Sequence, residues 1–252
     1  MNFIKTVASV AAFVVVPLTA HSALLLDLNA EDLALTDGAT VASWDIANAS
    51  GTPTFRENQT PGGFAAVEFN GSDHFGQLAA AQIPASGTGD LIFAGLIKAT
   101  NTGGYHNLID DDAQNRPMLW IDPAFRYELN FAGGGGSRGV GNGLDGWDVV
   151  IANSRTNQLW INSATPNASG GGAVGYYSSE SFDLFNRDGG QTFQGLVADF
   201  RVYNDAAAFG GDYAALHADL ASKLVAPVPG PATPALMILG ILALGFARIR
   251  RC

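Results

Sequence analysis

The stretch Gly195–Tyr203, Gly-Leu-Val-Ala-Asp-Phe-Arg-Val-Tyr, decides the fold of this chain. Its alternation has the period of two that is typical of a β-strand. The alternation predicts two faces, one with Leu196, Ala198, Phe200 and Val202 and the other with Val197, Asp199, Arg201 and Tyr203. Helical spacing follows in Asp212–Leu224, where one stripe carries Tyr213, Leu216, Leu220 and Leu224. The sequence therefore predicts a strand followed by a short helix.

Further short apolar or alternating runs precede this strand. Glycine, asparagine and aspartate, the residues of turns, separate them. The predicted strands are Leu24–Asn29, Ala65–Asn70, Leu91–Lys98, Met118–Ile121, Arg126–Phe131, Trp147–Ala152 and Gln158–Asn162. Many short strands with one terminal helix predict an all-β protein, built as a two-sheet antiparallel sandwich.

The order of several motifs resembles that of LamG-like, concanavalin A-type domains. The motifs are Trp44-Asp45, Val67–Gly71, Ile92–Lys98, Trp147–Ile151 with Leu159–Asn162, and Phe193–Gly195 leading into the strand that ends at Tyr203-Asn204. The resemblance spans nearly all of Leu24–Val225 and implies a jelly-roll fold. Members of this family include lectins, adhesion modules and glucanases, so the resemblance implies a fold and no single activity.

The N-terminal segment Met1–Ala23 has the order of a secretory signal peptide. Lys5 precedes an apolar stretch, Val7–Leu18, and small residues follow. Cleavage after Ser22 and cleavage after Ala23 both remain open. The apolar stretch is shorter than the roughly 20 residues that span a bilayer, which favours a cleaved peptide over an uncleaved anchor.

The C-terminal segment Ala226–Cys252 has the layout of a membrane anchor. A proline-rich hinge precedes the apolar run Ala235–Ala247, and an arginine cluster follows it. This pattern predicts a short transmembrane helix with its positive end in the cytoplasm and the Leu24–Val225 domain on the other side.

The same tail resembles the PEP-CTERM sorting signal of Gram-negative bacteria. The matching residues are Val228, Pro229, Pro231, Arg248, Arg250 and Arg251, whereas Gly230 stands where the family usually has Glu. The resemblance implies processing by an exosortase, a membrane protease-transpeptidase, after transient retention in the inner membrane. It also implies delivery to the cell surface or extracellular matrix. A tail anchor that is never cut is the alternative.

Composition excludes several classes of partner and site. The Leu24–Val225 domain holds all 23 acidic residues and nine of the 13 lysines and arginines, a net charge of −14. Such a domain repels phosphate backbones, so nucleic acid is excluded as a partner. The single cysteine is Cys252, which excludes disulfides, thiol nucleophiles and cysteine metal sites within the domain.

Catalytic motifs are missing from the sequence. Glycosidases need two carboxylates that flank the scissile bond, and no pair among the five glutamates has that spacing on one predicted strand. There is also no Gly-x-Ser-x-Gly nucleophile motif. The sequence therefore predicts a protein that is not an enzyme.

Two groups of residues are candidates for ligand binding. Asp110, Asp111 and Asp112 form an acidic run that is predicted to be a loop between strands, and carboxylate oxygens in a flexible loop are suitable ligands for calcium. A solvated acidic turn is the alternative. Tyr176 and Tyr177 follow a glycine-rich connection, where an aromatic ring can stack on a sugar.

These observations together predict an exported, non-catalytic binding or adhesion protein. Its predicted partner is extracellular polysaccharide or the biofilm matrix. Two alternatives stay open: a structural matrix protein without a specific small ligand, and a diverged glycan hydrolase.

Overall fold

The computed structural model describes residues 23–72, 74–78, 90–100, 104–111, 116–130, 137–142, 146–169, 182–185 and 192–226. The strands in chain order are β1 (Leu24–Asn29), β2 (Ser43–Trp44), β3 (Ile46–Ser50), β4 (Thr54–Arg56), β5 (Ala66–Asn70), β6 (His74–Leu78), β7 (Ile92–Ala99), β8 (His106–Asp111), β9 (Arg116–Ile121), β10 (Arg126–Leu129), β11 (Ser137–Val140), β12 (Trp147–Asn153), β13 (Gln158–Ile161), β14 (Ala168–Ser169), β15 (Phe182–Leu184) and β16 (Gln194–Tyr203). Two 3-10 turns, Ala30–Leu33 and Ala206–Phe209, and one helix, α1 (Tyr213–Ser222), complete the described elements.

The strands form two antiparallel sheets. The first sheet has the order β14-β13-β12-β7-β16-β5-β4, and β1 pairs with the second half of β16 beside β5. The second sheet has the order β11-β10-β9-β8-β15-β6-β3-β2. Consecutive named strands lie in different sheets at eight places: β1–β2, β3–β4, β5–β6, β6–β7, β7–β8, β11–β12, β14–β15 and β15–β16. The predicted all-β, two-sheet sandwich with one C-terminal helix is confirmed.

A β-bulge in the central strand changes the predicted alternation. The register of β16 shifts between Val197 and Asp199. Val197 faces the core between the sheets, and so do Phe200 and Val202. Leu196 packs on the opposite face of the same sheet. The prediction that Phe200 and Val202 share the face of Leu196 is therefore wrong, because one extra residue in the strand exchanges the two faces.

Aromatic packing between the sheets ties them together. Phe69 and Phe200 come from the first sheet, and Phe185 directly follows β15 of the second. All three are at most 1% exposed. The Phe185 ring centroid lies 4.7 Å from that of Phe69 and 5.1 Å from that of Phe200. Burial of each such ring stabilises the fold by about 1.5–3 kcal/mol.

Helix α1 covers the outer face of the first sheet. The Asp212 side chain begins the helix by accepting a hydrogen bond from the backbone N–H of Ala215 at 2.9 Å. Leu216 and Leu220 are buried one helical turn apart, as the sequence pattern predicts. The ring of Tyr213 stacks on Trp160 with centroids 4.3 Å apart. The first sheet is therefore packed on both faces.

Except for Ala23 and Ala226, the predicted signal peptide and sorting tail lie outside the described residues. The part outside includes Met1–Ser22 and the predicted transmembrane run Ala235–Ala247. Within the part of the chain that the structure describes, no helix has the length and apolar character needed to cross a membrane.

Candidate functional site

The outer face of the second sheet is the candidate functional site. Trp120 on β9, Glu128 on β10 and Asp183 on β15 each lie between two core residues of their own strand. Because successive residues of a strand alternate between its faces, these three side chains point away from the core. Helix α1 packs against β7 and β12 of the first sheet, so it does not cover this surface.

Strand register extends the surface sideways, because residues directly opposite each other share a face. Trp120 lies opposite Glu128 on one side and Asn107 on the other. The remaining pairs on this face are Glu128 with Arg138, Arg126 with Val140, and Asp183 with Asp110. We call the set the polar face; its residues are Asn107, Asp110, Trp120, Arg126, Glu128, Arg138, Val140 and Asp183.

One end of the polar face is open to solvent. Val140 is 68% exposed, and Tyr105, immediately before β8, is 47% exposed. Arg138 forms an ion pair with Glu128 across neighbouring strands. This end therefore combines an aromatic ring, an aliphatic side chain and a charged pair that offers both donors and acceptors.

The β9–β10 turn fixes the Arg126 guanidinium at this end. Asp122 accepts hydrogen bonds from the backbone N–H groups of Ala124 and Arg126, at 2.8 and 3.0 Å, and from Arg126 Nε at 2.7 Å. Burial raises the pKa of Asp122, but these hydrogen bonds outweigh it, so the pKa is lowered. The pKa of Arg126 is raised, first by its hydrogen bond to Asp122 and less by Glu128 and Tyr105. Asp122 therefore holds the guanidinium in place, and Glu128 and Tyr105 lie near enough to affect its pKa.

The other end of the polar face is buried. Asn107 and Asp110 are 0% exposed, and Asp183 is 1% exposed. Asp110 and Asp183 are direct register partners on β8 and β15. The Asn107 side chain has no hydrogen-bond partner for either its Nδ2 or its Oδ1 atom. Two carboxylates and an amide therefore lie on one covered patch of sheet.

The structure changes the setting of the predicted calcium ligands. Asp110 and Asp111 belong to strand β8 and pair with β9 and β15, so the prediction of a loop at these two residues is wrong. Asp112 lies outside the described residues. Residues directly opposite each other in a sheet share a face, so Asp110 shares its face with Asp183. Within the described ranges no group of three or more His, Cys, Asp or Glu side chains could hold a metal ion.

The other predicted binding residues fall outside the described ranges. These are the stacking tyrosines, Tyr176 and Tyr177, and the sorting motif, which comprises Val228, Pro229, Pro231, Arg248, Arg250 and Arg251. Calcium binding by Asp110–Asp112, sugar stacking by the tyrosine pair and processing of the tail all stay predictions.

Sequence reasoning missed most of the polar face. Trp120 and Glu128 carried a usable signal, since each alternates with apolar residues in a predicted strand. Asn107 and Asp183 carried none, because β8 contains adjacent polar residues and β15 is only three residues long. Their place beside one another depends on strand pairing.

A separate cavity of about 320 Å³ lies near the edge of the first sheet. Glu31, Glu57, Leu35 and Phe55 line it together with Ala34, Asn58, Gly63 and Ala65. The Glu31 carboxylate already accepts a hydrogen bond from the backbone N–H of Ala65. This cavity therefore uses one of its two carboxylates to hold the fold.

Comparison with known proteins gives remote structural likenesses. No protein-family model and no curated protein matches the sequence. Domain 4 of AbnA, a GH43 extracellular arabinanase from Geobacillus stearothermophilus solved with arabinotriose, is 15% identical with a TM-score of 0.49. The match covers 79% of this chain and 98% of that one.

Two further likenesses are weaker. A Trypanosoma rangeli sialidase mutant displaying trans-sialidase activity is 12% identical with a TM-score of 0.48; 81% of this chain matches 34% of that one. The binding domain of Paraclostridial Mosquitocidal Protein 1 is 12% identical with a TM-score of 0.43, with 79% and 52% covered. The chain thus spans about a third of the sialidase. All three TM-scores are below 0.5, so these likenesses do not indicate a function for this chain.

Proposed function

We propose that this protein is a non-catalytic polysaccharide-binding module that acts outside the inner membrane of a Gram-negative bacterium. The observation that carries the proposal is the open end of the polar face, where Arg126 lies opposite the exposed Val140 and the exposed Tyr105 is near enough to Arg126 to raise its pKa. An aromatic ring offers an apolar surface to the C–H face of a sugar, and its polar tip can bind a hydroxyl.

The charges of this end suit a polyhydroxyl ligand. Arg126 is paired with Asp122, and Arg138 is paired with Glu128. Each pair presents N–H donors and carboxylate acceptors side by side, as the hydroxyl groups of sugars require. The net charge of −14 on the domain opposes polyanions, which favours polysaccharide over nucleic acid.

A glycan-binding experiment tests the proposal. Purified full-length protein, kept in mild detergent because of its apolar tail, is applied to an array of bacterial and plant polysaccharides. We expect at least one glycan to bind. Tyr105→Ala should weaken that binding about fivefold, since loss of aromatic packing costs about 1 kcal/mol.

Arg138→Ala tests the charged pair, and Arg56→Ala is its matched control. Arg56 forms a similar ion pair with Glu68, but on the first sheet. The proposal requires weaker glycan binding for Arg138→Ala and unchanged binding for Arg56→Ala. Equal effects of the two variants, or failure of every glycan to bind, would overturn it.

The export part of the proposal is tested separately. The order of charged and apolar residues at both termini supports it. Protease added to intact spheroplasts should digest the domain. Protection of the domain until the cells are lysed would contradict export, whatever the glycan array shows.

A further inference from the structure

We propose that Asn107, Asp110 and Asp183 bind one divalent cation, with calcium the ion that suits them. The site lies at the buried end of the polar face and needs no glycan. It differs from the acidic run Asp110–Asp112, because it takes its second carboxylate from a strand far away in the sequence.

Strand pairing brings the two carboxylates together. Asp110 on β8 and Asp183 on β15 are opposite each other in an antiparallel pair. The Cβ atoms of such partners are about 4.5–5.5 Å apart, and both side chains point to the same face. Two carboxylates at this separation can reach a single ion that lies between them.

A β-bulge places the amide on the same face. The register of β8 against β9 shifts between Asn107 and Ile109, where β8 has one extra residue, and again between Ile109 and Asp110, where β9 has one. Ile109 faces the core, whereas Asn107 pairs with the outward-pointing Trp120. Without the bulge, positions 107 and 110 would lie on opposite faces of the strand.

The unpartnered amide is the observation that points to a ligand. Asn107 is fully buried, yet neither polar atom of its side chain has a hydrogen bond. A buried amide without a partner is costly. A cation bound between the two carboxylates would give the amide a partner, since Oδ1 of an asparagine is a suitable oxygen ligand.

The donor set selects the ion. Two bidentate carboxylates and one amide oxygen supply five oxygen atoms, and calcium takes 6–8 in a flexible geometry. Water can complete that shell. Magnesium demands a near-ideal octahedron and gives up its waters reluctantly, whereas zinc prefers nitrogen and sulfur ligands. The site should therefore bind calcium more tightly than either.

The test uses purified full-length protein that has been stripped with a chelator. Calcium chloride is titrated by calorimetry, and terbium is bound in parallel. Trp120 is the register partner of Asn107, so its excitation should sensitise terbium luminescence that calcium then quenches by competition. Trp120→Phe should lose most of that luminescence and keep its calcium affinity.

Asp183→Asn and Asp148→Asn form a matched pair, because both aspartates are buried. Asp148 lies elsewhere, held by Tyr127, Asn142 and Asn162. We expect Asp183→Asn to abolish both the heat of calcium binding and the sensitised terbium luminescence. Asp148→Asn should retain both. A wild-type protein without calcium binding, or an Asp183→Asn variant that binds like wild type, would overturn the proposal.

Asn107→Ala provides a second test that removes no charge. If circular dichroism shows that Asp183→Asn does not fold, Asn107→Ala determines whether the calcium site exists. Loss of one ligand should weaken calcium binding about tenfold or more. Unchanged calcium affinity in a folded Asn107→Ala protein would refute the site.

Discussion

A buried aspartate beneath helix α1 offers the sharpest test of what stabilises this fold. Asp199 is 0% exposed and accepts hydrogen bonds from Arg201 Nη2 at 2.7 Å and from Lys223 Nζ at 2.9 Å. Asp219, on α1, accepts from Arg201 Nη1, also at 2.7 Å, but its side chain is 57% exposed. The two aspartates thus share one arginine at one distance and differ in burial.

Asp199→Asn should destabilise the protein by about 3–5 kcal/mol, because it takes the counter-charge from the buried Lys223 ammonium and removes one of the three carboxylates that pair with Arg201, leaving Asp219 and Asp27. Burial by itself lowers the pKa of Arg201, and the charge of Asp199 outweighs it, so the pKa is raised. Asp219→Asn should cost only about 0–1 kcal/mol, since water screens an exposed pair.

Urea unfolding followed by tryptophan fluorescence measures both variants. The midpoint should fall without a change in slope, and the melting temperature of Asp199→Asn should drop by about 6–20 °C. A loss for Asp219→Asn as large as that for Asp199→Asn would refute the reasoning, because burial would then not decide the strength of these ion pairs. A loss below 1 kcal/mol for Asp199→Asn would refute it equally.

Four further predictions concern pH dependence, packing and the tail. Burial raises the pKa of Asp148 above 3.8, so its ionisation costs stability as pH rises from 3.8 through its folded pKa. The unfolding free energy of Asp148→Asn, measured relative to that of the wild type between about pH 3 and 7, should therefore increase as pH rises. The pKa of Asp122 is lowered from 3.8 in the folded protein, so the ionised carboxylate stabilises the fold. The loss of unfolding free energy in Asp122→Asn should therefore be complete above pH 3.8 and become smaller as pH falls through the folded pKa. The opposite trend would contradict a stabilising role for the Asp122 carboxylate. A Cβ at Gly141 would collide with the Asp148 carboxylate, so Gly141→Ala should lose about 1–3 kcal/mol in urea unfolding. At Gly104 an added Cβ has no described atom within 4 Å, so the unfolding free energy of Gly104→Ala should stay within about 0.5 kcal/mol of wild type. Equal losses of stability in Gly141→Ala and Gly104→Ala would contradict the predicted collision. Deletion of Ala226–Cys252 should move the protein from the membrane pellet to the supernatant after ultracentrifugation, and retention in the pellet would contradict the anchor.

The outer faces of the two sheets differ in what covers them. On the first sheet, α1 and the ion pairs of Asp199 cover the strands and stabilise the domain. On the second sheet, polar and aromatic side chains occupy the equivalent positions, and Val140 and Tyr105 remain exposed at one end. This asymmetry is the physical reason for placing the ligand on the second sheet.

Long strands were predictable from the sequence because their signal is local. Leu24–Asn29 matches β1, and Trp147–Ala152 lies within β12. A strand with apolar side chains at every position is buried on both faces, and one with apolar side chains at every second position is buried on one face. The short strands gave no such signal. β15, Phe182–Leu184, forms only because β6 and β8 flank it.

The local sequence specifies the secondary-structure class, the positions of the longer strands and the helix α1. These follow from side-chain periodicity and turn residues, which act over a few neighbouring positions. Only the tertiary structure decided which residues share a face. Bulges at Val197 and after Asn107 exchange the faces within a strand, and pairing brings Asp110 to Asp183. The register of each strand depends on which face of the whole sheet is buried, and the sequence of a single strand does not contain that information.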